Sequence, residues 1–317
     1  MQLVPGSERI EGAGADPVTG RVRWAPAKSF WISSMTVTAL VAGPLTFTWG
    51  AVALFALTTA LTLCAGHSVG MHRRLIHNSF WCPLWLEYVL VYLGVMVGMA
   101  GPIGMIRLHD LRDWAQRQPD CHGYFGHRAD FWHDAWRQMH CELVLERPPG
   151  FRLEPRLASD WVYTWMERTW MLQQLPWALL FFALGGWSWV VWGVCARVTV
   201  GVTGHWLVGH YAHREGPQTH IVEGASVQGY DVVIAGLISM GESWHNNHHA
   251  FPGSAKLGLY PGQADLGWGM IKMLERLGLA RDIVTPEMLP YRPALRQVRA
   301  EGRGCPVGRR LALGNRP

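Results

Sequence analysis

The sequence predicts an all-α integral membrane protein with four transmembrane helices arranged as two hairpins. Three observations carry this: two long uncharged apolar blocks, a charged fraction of 16% beside an apolar fraction of 49%, and histidines gathered where the blocks end. Soluble domains average about 25% charged residues, so an ordinary solvated surface is short of charge here. A mean hydropathy of +0.06 is too low for spans alone, so polar segments must lie between the apolar ones. The pattern excludes a disordered chain, a collagen-like fibre and a small disulfide scaffold.

Residues 1–28 are rich in Gly, Pro and charge and show no apolar face, which predicts a mobile tail. The opening segment has neither a positive start nor an apolar h-region, so no cleavable signal is expected. Phe30 to Gly66 is a run of 37 residues without a charge, whereas one span takes about 20. A hairpin follows, with spans near 29–47 and 51–72 and a turn between Gly43-Pro44 and Trp49-Gly50. Thr169 to Ala196 is again uncharged and continues past Arg197, giving spans near 170–184 and 187–208 around Gly185-Gly186.

Between the hairpins, Tyr88 to Ile106 is long enough to cross but is interrupted by Gly94, Gly98, Gly101, Pro102 and Gly104. Arg107, Arg112, Arg117 and Arg128 follow it. Arginine-rich loops stay cytoplasmic, and a crossing at 88–106 would strand them outside, so an interfacial helix is expected there. The same rule places the N-terminal segment, Arg73-Arg74 and residues 211–317 on the cytoplasmic side. The membrane domain then covers 29–280, and 281–317 form a basic C-terminal tail.

The net charge of +5 comes from 25 Arg and 3 Lys against 23 acids. Codon bias accounts for the arginine excess, and a basic surface also suits lipid headgroups or an anionic substrate carrier. The arginines are scattered and fit no nucleic-acid motif, so no nucleic-acid partner is expected. Six cysteines show no CxxC pair, which excludes a zinc knuckle or a redox dithiol.

Fifteen histidines are the chemical signal. Trp244-His245-Asn246-Asn247-His248-His249 is the sharpest element. On a helix, residues three and four apart share a face, so His245 can point with His248 and His249, and imidazole suits Fe, Zn, Cu and Ni. His72 and His77 stand at the end of the second predicted span. Residues five apart diverge by about 140° on an α-helix of 3.6 residues per turn, so this pair needs partners from elsewhere.

The order H-x4-H, a box about thirty residues later, a lone histidine after the second hairpin and then H-N-x-H-H resembles the membrane-bound fatty acid desaturases, most closely the acyl-CoA (stearoyl-type) branch. The resemblance covers residues 30–275, with Gly241-Glu242-Ser243 and Ala250-Phe251-Pro252 flanking the last box. It implies four transmembrane helices under a cytoplasmic helical cap that carries a histidine-rich site for two iron ions. Dioxygen would be co-substrate and a fatty acyl chain, as acyl-CoA, the substrate. His72, His77, His109, His205, His245, His248 and His249 match the family's ligand positions.

The middle box departs from the family pattern H-x-x-H-H and reads His109-Asp110-Leu111-Arg112-Asp113. Arg112 has no lone pair to offer, while Asp113 can bind iron as a carboxylate. Asp113, or an off-pattern histidine among His67, His140, His210 and His213, is therefore expected to complete the site. The family's asparagine four residues before the lone histidine is here Gly201. His67, Asp110, Glu242, Asn246 and Asn247 are the residues expected to orient the ligands.

With no dinucleotide fingerprint, iron–sulfur cysteines or haem domain, the electrons must come from a separate ferredoxin or b-type cytochrome. A related hydroxylase, or a non-catalytic lipid-binding relative with an incomplete site, are the competing readings. Arg197 falls inside the fourth predicted span, where an arginine faces protein or a watery cavity. It is expected either to pair with an acid or to border the substrate channel.

Overall fold

The computed structural model describes residues 9–298. Eleven α-helices carry the described fold, with three short two-stranded antiparallel ladders attached. The first hairpin consists of α1 (Pro26–Leu45) and α2 (Trp49–Leu61), and α2 runs without interruption into a π-helix, Thr62–Ile76. Thr48 caps α2 by accepting from the Ala51 N–H at 3.1 Å. Trp49–Ile76 is one continuous apolar helix of 28 residues, long enough to cross a membrane.

The second long apolar helix is Gln174–Ala212, 39 residues. It contains α8 (Gln174–Val190), a π-helical turn (Val191–Ala196) and α9 (Arg197–Ala212). At 1.5 Å per residue, 39 residues would far exceed a bilayer of about 30 Å. The backbone leaves helical geometry at Gly185 and Gly186, with φ of +62° at Gly186. A Cβ on Gly185 would lie 2.2 Å from Cγ of Trp189, so only glycine lets the chain fold back this tightly. The two turns touch: Ser188 donates to the Thr46 carbonyl at 2.6 Å, and Trp192 donates to the Gly43 carbonyl at 3.2 Å.

Between the hairpins the expected single helix over 88–106 is instead two, α3 (Leu84–Val95) and α4 (Pro102–Gln116). Gly98, at φ +84°, stands in the break, and Pro102 supplies the fixed first-turn geometry of α4. Helix α3 lies against the π-helix at backbone contact distance. A Cβ on Gly66 would come 2.3 Å from the Leu93 carbonyl carbon, and one on Gly70 2.5 Å from that of Leu90. The core around Met71, Leu75, Ile76, Val91, Val95 and Ile106 forms there.

Two expectations need correction. Residues 9–28 are not a free tail: β2 (Gly20–Trp24) pairs with β3 (Cys141–Leu145), and β1 (Ile10–Glu11) pairs with β4 (Gly150–Phe151). These strands are short and their partners lie over a hundred residues away, so no local pattern marks them. Residues 281–298 are likewise packed, through β6 (Leu295–Gln297) on β5 (His220–Val222) and the Arg281 guanidinium 3.8 Å over the Trp81 ring. Residues 1–8 and 299–317 of the expected tails lie outside the described residues.

Arg73 and Arg74, expected where the second span emerges, are essentially inaccessible, at 1% and 2% exposure. Arg73 donates to Asp265 at 2.9 Å and to the Ala255 carbonyl at 3.1 Å. Arg74 pairs with Glu87 at 2.5 Å; Glu87 also pairs with Arg156 at 2.7 Å and accepts from the Tyr163 hydroxyl. Arg197 is buried, and among the described residues no acid pairs with it. It donates to Gln174 at 2.6 Å, to the Gly193 carbonyl at 2.7 Å and to the Met96 carbonyl, tying α8, α9 and the 96–101 loop together.

Removing one member of a buried, hydrogen-bonded ion pair costs about 3–5 kcal/mol because the other charge is left alone. Glu87→Gln is therefore expected to lower the thermal midpoint of the detergent-solubilised protein by a clear margin, while a substitution of the exposed Trp132 leaves it in place. An unchanged midpoint for Glu87→Gln would remove the network from the fold's supports.

Candidate metal centre

The π-helix decides where the first histidines point. Its hydrogen bonds run from residue i to i+5, as in the 3.0 Å bond from the His77 N–H to the His72 carbonyl. Residues five apart then share a face. His67 and His72 stack 6.5 Å apart with planes at 7°, and His72 and His77 meet at 4.7 Å. Opposite them, α4 presents His109 and α10 (His245–Ala250) presents His245, His248 and His249.

Two nitrogen clusters result. His72, His77, His109 and His248 bring ligand atoms within 4.8 Å of one another, and so do His213, His245 and His249. In the first, the Nε2 atoms of His72 and His77 are 3.2 Å apart. In the second, Nε2 of His245 lies 3.1 Å from Nε2 of both His213 and His249. The clusters adjoin, with the His245 and His248 rings 5.5 Å apart.

Carboxylates stand behind the first cluster. Glu242 Oε2 lies 2.5 Å from His72 Nδ1, and its Oε1 accepts from Ser68 at 2.5 Å. Asp110 Oδ1 is 3.4 Å from His109 Nδ1. Asp110 is itself held at 3.1 Å by Arg9, which also donates to the Ile76 carbonyl at 2.9 Å and to Glu154 at 2.6 Å. Behind the second cluster, His213 Nδ1 donates to the Gly209 carbonyl at 2.7 Å, which leaves its Nε2 as the lone pair facing inward.

The electrostatics suit a cation. Burial, reinforced by the neighbouring imidazoles, pushes His213, His245 and His248 well below the ordinary histidine value. Burial likewise pushes His249 down to about 4. These rings are neutral at pH 7 and offer lone pairs. At His109 the burial effect is outweighed by Asp113 and Asp110, and its pKa rises. Burial would raise the Glu242 carboxyl, but His72 and Arg73 hold it well below the usual carboxylate range.

The donor set fits a metal. Neutral Nε2 atoms 3.1–3.2 Å apart cannot all donate to one another, and nitrogens at about 2.0–2.1 Å from a shared ion lie at such separations. Nδ1 of His248 is buried without a hydrogen-bond partner.

Six of the seven sequence-matched histidines enter these clusters. His205 does not; it stands on α9 with its ring 5.0 Å from that of His67. His213, the residue that caps the C-terminus of α9, enters the second cluster instead. Asp113 also stays outside both clusters, paired with Arg117 at 2.8 Å. Burial would raise its carboxyl, but His109 and Arg117 hold it low. Of the expected orienting residues, Glu242 and Asp110 touch clustered histidines. His67 stacks on His72 and borders His205.

Asn246 and Asn247 instead clamp backbone. Asn246 donates to the carbonyls of His220 and Gly229 at 2.7 and 2.8 Å, and Asn247 to that of Leu257 at 2.7 Å. A third group, His127, Asp134 and His210, has no counterpart in the sequence reading. No box spacing joins His127 to His210, which are bridged by Asp134 of α5 (Phe131–His140).

The sequence model of the family described as "Fatty acid desaturase" matches residues 47–256. An sn-1 stearoyl-lipid 9-desaturase of Anabaena variabilis is 35% identical over 244 residues, 76% of this chain and 86% of the relative. An sn-2 palmitoyl-lipid 9-desaturase of Nostoc sp. (strain 36) is 32% identical, covering 76% and 84%. An acyl-CoA 5-desaturase of Anemone leveillei is 31% identical, covering 78% and 75%.

The geometry predicts opposite outcomes for His205 on α9 and His213 at its C-terminal cap. His213→Ala is expected to lower the metal content of the purified protein by about one ion, with His205→Ala leaving it unchanged, as measured by mass spectrometry of the elements. The reverse pattern would return His205 to the ligand set.

Proposed function

The chain belongs to the fatty acid desaturase family, and from that premise we propose that its two histidine clusters hold two iron ions used with dioxygen. The protein is an oxidoreductase that desaturates fatty acyl chains, as its family and relatives establish. The observation that carries the metal reading is the convergence of seven neutral or carboxylate-backed imidazoles from the π-helix, α4, α10 and the end of α9. In this reading His72, His77, His109 and His248 bind one ion, and His213, His245 and His249 the other.

Taking hydrogen from an unactivated methylene needs an oxidant that no side chain supplies, and this is what bound iron and dioxygen would contribute. The chain's own part is orientation and exclusion of water. Glu242 and Asp110 fix the rings of His72 and His109 from behind and raise their basicity. The Gly209 carbonyl fixes the tautomer of His213. The two electrons consumed with each dioxygen come, in this reading, from a separate ferredoxin or b-type cytochrome.

We read the two hairpins as four spans, with the metal clusters, the helical cap and both termini on the cytoplasmic side. The contact between the Thr46–Thr48 and Gly185–Ser188 turns supports this, since it sets both hairpin tips at the end opposite the histidines. A belt of exposed apolar side chains, including Leu40, Leu45, Leu57, Leu179 and Leu184, gives the bundle a surface suited to lipid. The substrate is an acyl chain on a lipid or on CoA. Relatives named for each carrier are similar to this chain, and the acyl-lipid ones stand slightly higher in identity.

Expression in a host lacking the activity should produce a new monounsaturated chain detectable by gas chromatography of total fatty acids. His245→Ala should abolish it. Label should appear first in glycerolipid if the carrier is lipid, and in the CoA pool if it is CoA. A hydroxylated product in place of the alkene would overturn the desaturation step for this chain.

A further inference from the structure

Arg112 stands on α4 three residues after His109, where the family pattern has a histidine, and its guanidinium is built into the site. Nη1 lies 2.5 Å from Nε2 of His127, and Nη2 donates to Gln138 Oε1 at 2.9 Å. His127 Nδ1 donates at 2.8 Å to Asp134 Oδ2, which also accepts from His210 Nδ1 at 2.8 Å and Trp206 Nε1 at 2.9 Å. With Nδ1 of His127 committed as donor, its Nε2 is a lone pair and accepts from Arg112. The cation is therefore seated by two neutral acceptors, with the nearest bonded carboxylate one imidazole away.

That imidazole leads straight to the second histidine cluster. The His127 ring stacks on His213 at 5.4 Å with planes at 6°. Gly209 makes room for the approach, since a Cβ there would lie 3.3 Å from His127 Nε2. A second guanidinium touches the same cluster, where Arg292 Nη1 donates to the His249 carbonyl at 2.8 Å. Among the described residues no carboxylate lies in ion-pair contact with the rings of His213, His245 or His249 as Glu242 and Asp110 do with His72 and His109. Asp113 faces histidines of both clusters, His109 and His248 in the first and His245 and His249 in the second, so it does not separate them.

We propose that Arg112 makes the two metal positions unequal: the four-histidine cluster fills first and tightly, and the His213–His245–His249 cluster fills second and weakly. The inference rests on the two-metal reading above. Its physical basis is that a dication is stabilised by nearby carboxylates and opposed by a nearby fixed cation, with interior screening too weak to erase either effect. Fewer ligands in the second cluster act in the same direction. Arg112 is thus a positioning residue that sets the affinity gap rather than a ligand.

The test is an anaerobic titration of the metal-stripped full-length protein in detergent with Co²⁺, followed by visible absorption and by equilibrium dialysis. Wild-type protein should bind two equivalents in two steps separated by at least tenfold. Arg112→Gln should tighten the second step at least tenfold and leave the first within threefold, while Arg112→Lys should keep the wild-type gap. One equivalent in the wild type that becomes two in Arg112→Gln supports the proposal equally.

Two equivalents of equal affinity in the wild type would overturn the proposal and leave the two-metal reading standing, a result that needs no folded variant. An unchanged gap in Arg112→Gln would overturn the role of Arg112. One equivalent or none in both proteins, or binding indifferent to His245→Ala, would overturn the two-metal reading and this inference with it.

Discussion

The winding of residues 62–76 is the constraint on which the rest of the molecule depends. Three histidines five residues apart cannot share a face of an α-helix, yet they do so here because the helix bonds i to i+5. Such winding is rare and has to be held. Gly66 and Gly70 let α3 press its backbone against the helix, and Arg73 and Arg74 tether its end to acids on two different segments. Placing the arginines immediately after His72 fixes the turn that carries His77. Were the segment to relax to an α-helix, His67, His72 and His77 would fan outward and the first cluster would lose half its donors.

Much of this was legible in the sequence, and the limits have physical causes. Uncharged runs and glycine turns are local signals, so both hairpins and the Gly185-Gly186 reversal could be placed. The histidine boxes gave six of the seven clustered rings. The exchange of His205 for His213 turns on helix phase and on where α9 meets α10, which spacing does not encode. Arg73 and Arg74 read as interfacial charges because burial with Asp265 and Glu87 depends on contacts far along the chain. The strands of residues 10–24 were invisible for the same reason.

Several of the buried acids stand directly against histidines. Glu242 serves three partners at once, orienting His72, accepting from Ser68 and facing Arg73 at 3.4 Å. Its carboxylate stays ionised because burial, which alone would neutralise it, is outweighed by those cations and imidazoles. The same logic keeps Asp134 ionised among His127, His210 and Trp206. In each case the acid bears on which ring nitrogen of its neighbour carries the proton. The first cluster is therefore defined as much by the acids behind it as by its imidazoles.

Arg9 shows how far this dependence reaches. It lies at 2% exposure, bonded to Asp110, Glu154 and the carbonyls of Leu75 and Ile76. It thereby joins the end of the π-helix, which carries His72 and His77, to the acid behind His109. A segment without apolar periodicity is thus ordered by strand pairing together with this buried charge, and its place in the sequence gives no sign of this. The desolvation of a guanidinium is repaid only when several acceptors converge on it, and here they converge only if α4 and the π-helix are already in register. Through Arg9 the N-terminal segment thus bridges the end of the π-helix and the acid behind His109.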